Sequence, residues 1–281
     1  AGQEIEMPTS SGIGTKLIID AVNNGTLDVE ILDKAVDKII DMSKRAEKVF
    51  GDYTYDSDAH HNFAREIASQ CMVLMKNDNN VLPLKKDAKI AVIGEMARTP
   101  RYQGAGSSLI NPIKLDSAYD TMKEMGINFS FAPGYKLKGK NKKEMDMVVE
   151  AKNMAKNADV ALVFVGLTDE YETEGNDRSH INLPPIHNTL VEEVLKVNPN
   201  TIVVLSGGAS VAMPWADKVP AILNMFLTGQ AGGSAVCDIL FGDVNPSGKL
   251  SETYPLALSD NSSYNYFPGT TVSVEHRESV Y

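Results

Sequence analysis

The sequence has 281 residues, 43% hydrophobic and 23% charged, an ordinary globular balance that suffices for one large domain or two smaller ones. Its 27 basic and 37 acidic residues leave a net charge of −10, which argues against nucleic acid and membrane surfaces as partners and suits a neutral or cationic ligand. No apolar run has the length of a membrane span, and the opening AGQEIEMPTSSG is neither basic nor an apolar signal core.

Residues 1–50 read as a short turn followed by two helices. TKLIIDAVNNG has helical apolar spacing and stops at Gly25, and Thr26 to Phe50 carries Val29, Ile31, Leu32, Val36, Ile39, Ile40 and Met42 at a period of 3.6. Residues 51–60 (GDYTYDSDAH) are polar and turn-rich, so the domain boundary is placed there.

From residue 61 onward, helices and strands alternate. A helix AREIASQCMVLMKN leads to VLPL and the strand KIAVIG (89–94). A helix near 116–125 precedes INFSFA (127–132), and one near 143–157 precedes DVALVFVG (159–166). HNTLVEEVLKVN precedes TIVVLSGG (201–208), and AILNMFLTG (221–229) precedes the helix SAVCDILFG. The strands are continuous apolar runs, so both sheet faces should be covered by helices. The expected fold class is α/β: a mostly parallel, doubly wound sheet of five or six strands. Cys71 and Cys237, the only cysteines, lie in ASQCMVLM and SAVCDILF and are expected to be buried free thiols. They offer no metal spacing.

In such sheets the working loops follow the carboxyl ends of the strands. KIAVIGEMARTP lacks G-x-G-x-x-G, and TGQAGGSA lacks a P-loop lysine, so no nucleotide cofactor is expected. Gly229, Gly232 and Gly233 then read as a tight turn. The loop 166–184, GLTDEYETEGNDRSHINLP, is the most informative. Asp169, Glu170, Glu172, Glu174 and Asp177 crowd into nine residues, with Arg178 next. A solvated acidic loop is one reading. Tyr171 among the acids and Leu183-Pro184 at the end point to a built loop instead. Crowded like charges raise one another's pKa, as a proton donor near neutrality needs. Arg178 is expected to pair with Asp177 and hold the loop while one Glu stays free.

These residues resemble glycoside hydrolase family 3, the β-glucosidase and β-xylosidase family. The resemblance runs through AGQEIEMP, KNDNNVLPL, KIAVIG, QGAGSSLINP, VGLTDEYETEGNDR, TIVVLSGGASVAMPW, TGQAGGSAVCDILFGDVNPSGKLSETYP and HRESVY, in that order. It implies helices of a (β/α)8-like barrel in 1–50, a linker in 51–60 and an α/β sandwich in 61–281. Both ends are expected to be cut from a longer enzyme: the family's nucleophile segment, of Ser-Asp-Trp type, has no counterpart here, and the sequence stops at RESVY where members of the family typically continue.

Carried over, the acid/base is Glu174, with Glu172 as runner-up. Gln103, Gly104, Gly106, Ser107 and Ser108 line the mouth of the site, and Asp177 and Arg178 shape the acid loop. No metal or cofactor is implied. The implied partners are a carbohydrate such as a β-glucoside and the missing barrel domain, with a homo-oligomer through the uncovered helical face as a further one. The implied activity is retaining glycoside hydrolysis, with this fragment alone inactive. The competing reading is a non-catalytic carbohydrate-binding or docking module. His180 carries no implied role, and Trp215 is expected to pack rather than to hold a sugar.

Overall fold

The computed structural model describes residues 3–139 and 143–267. The HRESVY segment of the resemblance lies outside them. The chain divides into two compact units, Ala1–Tyr55 and Asp56–Tyr281.

In the first unit, α1 (Ile13–Asn23) and α2 (Val29–Glu47) form at the expected places. Gly25, at φ +75, makes the turn in which the Thr26 and Leu27 N–H groups share the Ala21 carbonyl. The Asp28 carboxylate caps α2 by accepting from the Glu30 N–H at 2.9 Å, and Lys44 and Arg45 complement the dipole at its other end. No residue of either helix is buried, and Ile13, Leu17, Ile19, Val29, Ile31 and Val36 stand exposed. Among the described residues of this unit, nothing covers the apolar stripe of the two helices.

The second unit begins with α3 (Ser57–Cys71), capped by Asp56, which accepts from the Asp58 and Ala59 N–H groups. The helix expected to run on through MVLMKN stops at Cys71. Met72 turns extended, and Val73–Asn77 forms β1. A short apolar run such as MVLM fits helix or strand equally well by period. Here antiparallel pairing with β6 (Ala221–Asn224), Val73 opposite Asn224, decides for strand. The same stop corrects the expectation for Cys71. It closes α3 on the solvent side and is exposed, while Met72 takes the buried place beside it. Cys237 is buried as expected, and that burial pushes its thiol pKa well up.

The remaining strands are β2 (Ile90–Ile93), β3 (Phe129–Ala132), β4 (Val160–Gly166) and β5 (Thr201–Ser206). They and β6 pair in parallel in the order β1-β6-β5-β4-β2-β3, and only the edge strand β1 runs against the rest. Every residue of β2, β4, β5 and β6 is buried, which a sheet achieves only under two covering layers. One layer is α5 (Glu144–Ala155) with α6 (Pro185–Leu195), which pack on each other and reach β2 through β5. The other groups α3, α4 (Ala118–Glu124) and α7 (Gly232–Leu240), whose nine residues are all buried. A two-point ion pair, Arg65 on Asp238, joins α3 to α7. Gly229, at φ +69, makes the expected turn before α7.

Beneath the carboxyl ends of β2 and β4 lies a small buried polar layer. The Tyr135 hydroxyl donates to the Phe164 carbonyl at 2.8 Å and accepts from the Met96 N–H. His187 stacks on the Tyr135 ring at 3.9 Å and accepts from the Gly166 N–H through Nδ1. Burial lowers the His187 pKa to about 3. From pH 6.5 down to about 3, the unfolded chain takes up a proton on this ring that the folded chain refuses. Native stability therefore falls with falling pH across that window, on the order of 1.4 kcal/mol per unit from this group. His187→Gln should lower the Tm at pH 7.5 yet flatten its decline between pH 6 and pH 4. Parallel melting curves for the two proteins against pH would rule this out.

Candidate active site

The strand order places the site. From β2 the chain crosses to β3 on one side and then returns past β2 to β4 on the other. The reversal opens a crevice between the carboxyl ends of β2 and β4, where ligands of doubly wound sheets bind. The loop leaving β2 carries Arg101 to Ser108, and the loop leaving β4 carries the acids.

The two loops are stitched together. Ala105 and Thr173 form a parallel bridge, and the Glu174 N–H donates to the Ala105 carbonyl at 3.0 Å. Gly106, at φ +118, lies so close that a Cβ there would meet the Glu174 Cβ at 2.5 Å. Just beyond, the Ser107 N–H donates to Glu174 Oε2 at 2.7 Å, and the Ser107 hydroxyl donates to the same oxygen. Glu174 is otherwise exposed. These two donors favour the charged form and hold its carboxyl below the ordinary carboxylate range. The expectation of an acid raised by crowded like charges is corrected here: hydrogen bonding to Ser107 lowers the Glu174 pKa, and the opposing cause is desolvation rather than repulsion.

Glu172 sits differently. Its carboxylate accepts from the Arg101 guanidinium and from the Gly208 N–H at 3.0 Å, and its backbone carbonyl accepts from Arg101 Nη2 at 2.8 Å. A third bond runs from Arg101 Nη1 to the Leu167 carbonyl at 2.9 Å. Arg101 is only 8% exposed, and its Nε lies 3.4 Å from Asp169. One arginine thus ties both ends of the segment from Leu167 to Glu172, and Gly208 joins the loop after β5 to the same knot. Glu172 is half-buried, with its Oε2 taken up by Arg101 and Gly208, whereas Glu174 presents its carboxylate at the surface.

The other expected residues divide. Gln103 folds onto its own loop, donating to the Tyr102 hydroxyl and the Ile110 carbonyl. With Gly104, Arg101 and Asp169 it lines a cavity of about 260 Å³ behind the acid loop. Gly106 and Ser107 meet Glu174, and Ser108 is exposed. The expected pair of Arg178 with Asp177 does not form. Adjacent residues of a turning loop point apart, so Arg178 reaches the Ser210 carbonyl at 3.5 Å, and Asp177 is exposed without an ion pair among the described residues. The arginine that anchors the loop is Arg101, which the sequence does not single out. His180 is exposed and accepts only from the Asn182 N–H, and Trp215 is fully buried with its Nε1 donating to Asn188.

Comparison with known proteins agrees with this fold. The family described as the glycosyl hydrolase family 3 C-terminal domain matches residues 72–281. The thermostable β-glucosidase B of Acetivibrio thermocellus is 48% identical over all of this chain, which spans 38% of that protein. An exo-α-(1→6)-L-arabinopyranosidase of Bifidobacterium breve is 41% identical, again over the whole chain and 38% of its own length. Among solved structures, a family 3 β-glucosidase of Bifidobacterium adolescentis superposes with a TM-score of 0.87 at 42% identity, over 95% of this chain and 39% of that one. The chain therefore spans well under half the length of these relatives. It belongs to glycoside hydrolase family 3 and comprises that family's C-terminal domain.

Proposed function

We propose that this chain is the acid/base-bearing part of a retaining β-glycosidase of β-glucosidase type, acting on terminal β-linked sugars. Glu174 is its proton donor, and a carboxylate from the portion filling the rest of the relatives' length is its nucleophile. The observation that carries the proposal is the contrast between the two candidate glutamates. Glu172 is spent on Arg101 and Gly208, while Glu174 is held by Ser107 with its outer face free.

In double displacement the nucleophile attacks the anomeric carbon while Glu174 protonates the departing oxygen. Water then attacks the glycosyl-enzyme as Glu174 takes its proton. In the open site the Ser107 bonds favour the ionised form, which suits the second step. A bound sugar and a covering domain remove the carboxyl from water and bring a second negative charge near it. Both raise its pKa toward the protonated form that the first step needs.

The test is hydrolysis of β-glucosides, β-xylosides and α-L-arabinopyranosides by the two-domain enzyme and its Glu174→Gln variant. Because a Cβ at residue 106 would collide with Glu174, Gly106→Ala should displace that carboxylate. Glycoside turnover should fall about 10²-fold, the usual cost of a misplaced catalytic group, while the Tm moves by only a few degrees. Wild-type kcat in a folded Gly106→Ala enzyme would break the link between this contact and catalysis.

A further inference from the structure

We infer that Arg101 is a positioning residue for the acid/base, acting on Glu174 through Glu172; the inference rests on the proposed role of Glu174. Arg101 lies under the loop and does not reach Glu174. It grips the loop at its root, on the Leu167 carbonyl, and at Glu172, two residues before the acid, through both the backbone carbonyl and the carboxylate. The Gly208 N–H adds a second donor to that carboxylate. Between this knot and Glu174 lies only Thr173, which bridges to Ala105 on the loop that also carries Arg101. The two fastenings, at Glu172 and at Ala105–Ser107, hold the backbone just before the acid and the acid itself. The Ser206 hydroxyl lies 3.4 Å from the Arg101 carbonyl and so reaches the same knot from the end of β5.

Only a guanidinium performs this task. Its fork of N–H donors serves two carbonyls and a carboxylate at once, a pattern that an ammonium copies poorly. The clamp also accounts for two carboxylates in one short motif. Glu172 supplies the anchor and Glu174 the proton.

The experiment uses the two-domain enzyme with Arg101→Met, Arg101→Lys and Glu172→Gln, each alone and combined with Glu174→Gln. The substrates pair a poor leaving group (methyl or cellobiosyl) with an activated one (2,4-dinitrophenyl). Arg101→Met should lower kcat/KM about 10²-fold for the poor leaving group and only a few-fold for the activated one, which needs no proton. Arg101→Lys should not restore the loss, and Glu172→Gln should show a smaller loss of the same pattern. In the Glu174→Gln background, none of the three should cost anything further, since residues acting as one unit are non-additive.

Equal losses for both leaving groups, or losses that add to that of Glu174→Gln, make Arg101 merely structural and overturn the inference while Glu174 keeps its role. If Glu174→Gln itself shows no leaving-group dependence, both readings fall together. Should Arg101→Met not fold, Glu172→Gln decides, because it removes charge from the same clamp with little change of shape.

Discussion

Purified as the 281-residue chain, the protein should release no sugar from any aryl glycoside, at a rate indistinguishable from buffer. Retention requires two carboxyl groups about 5–5.5 Å apart across the sugar. Around Glu174 the acids are otherwise committed or exposed. Glu172 is bound to Arg101, and Asp169 lies between Arg101 and Lys138. No segment of Ser-Asp-Trp type occurs anywhere in the sequence. On the proposed roles, the acid loop supplies the proton and the attacking carboxylate comes from outside these residues. By comparison, an assembled enzyme typically turns over at about 1–10³ per second, so the contrast is all or none. A mechanism-based label such as a 2-deoxy-2-fluoroglycoside should leave the mass of the chain unchanged. An adduct, or hydrolysis that vanishes in Glu174→Gln, would place the second carboxylate within these residues and end the two-part reading.

The parallel strands were legible because continuous apolar runs such as VALVFVG have one stable home, a sheet covered on both faces. The edge strand β1 was not. Its first residues continue the apolar stripe of α3 without a break, and only pairing with β6, Val73 opposite Asn224, turns them into a strand. The acid loop stood out through its charge and through a motif of high specificity. What supports it did not, because the Arg101–Glu172 pair joins residues 71 positions apart. Sequence adjacency suggested Arg178 with Asp177 instead, and in a turning loop adjacency is a poor guide to contact. Charge crowding misled for a similar reason. The effect of neighbouring carboxylates depends on which donors each one meets, and Ser107 could be matched to Glu174 only once the two loops were in register. Cys71 shows the same limit on a smaller scale, since its exposure follows from where α3 ends.

Glu174→Gln in the two-domain enzyme should slow the hydrolysis of poor leaving groups by about 10²–10⁴-fold, the usual worth of general acid catalysis. Glutamine keeps the shape and can still accept from the Ser107 N–H, so folding and binding should change little. The loss should track the basicity of the departing alkoxide. A methyl glycoside cannot leave without a proton, whereas a 2,4-dinitrophenolate can, and for it formation of the glycosyl-enzyme should stay within a few-fold of wild type. The second step then becomes limiting, because no base remains to activate water. Azide needs no base, so its addition should restore turnover of the activated substrate and divert the product to a β-glycosyl azide. The alkaline limb of the pH profile, where a proton donor loses its proton, should disappear with the carboxyl that produces it. If Glu172→Gln shows this full pattern and Glu174→Gln does not, the roles of the two glutamates are reversed, and the clamp on Arg101 must open during the reaction. If neither shows it, the proton comes from outside this loop, and ETEGNDR serves only to join the loops after β2, β4 and β5.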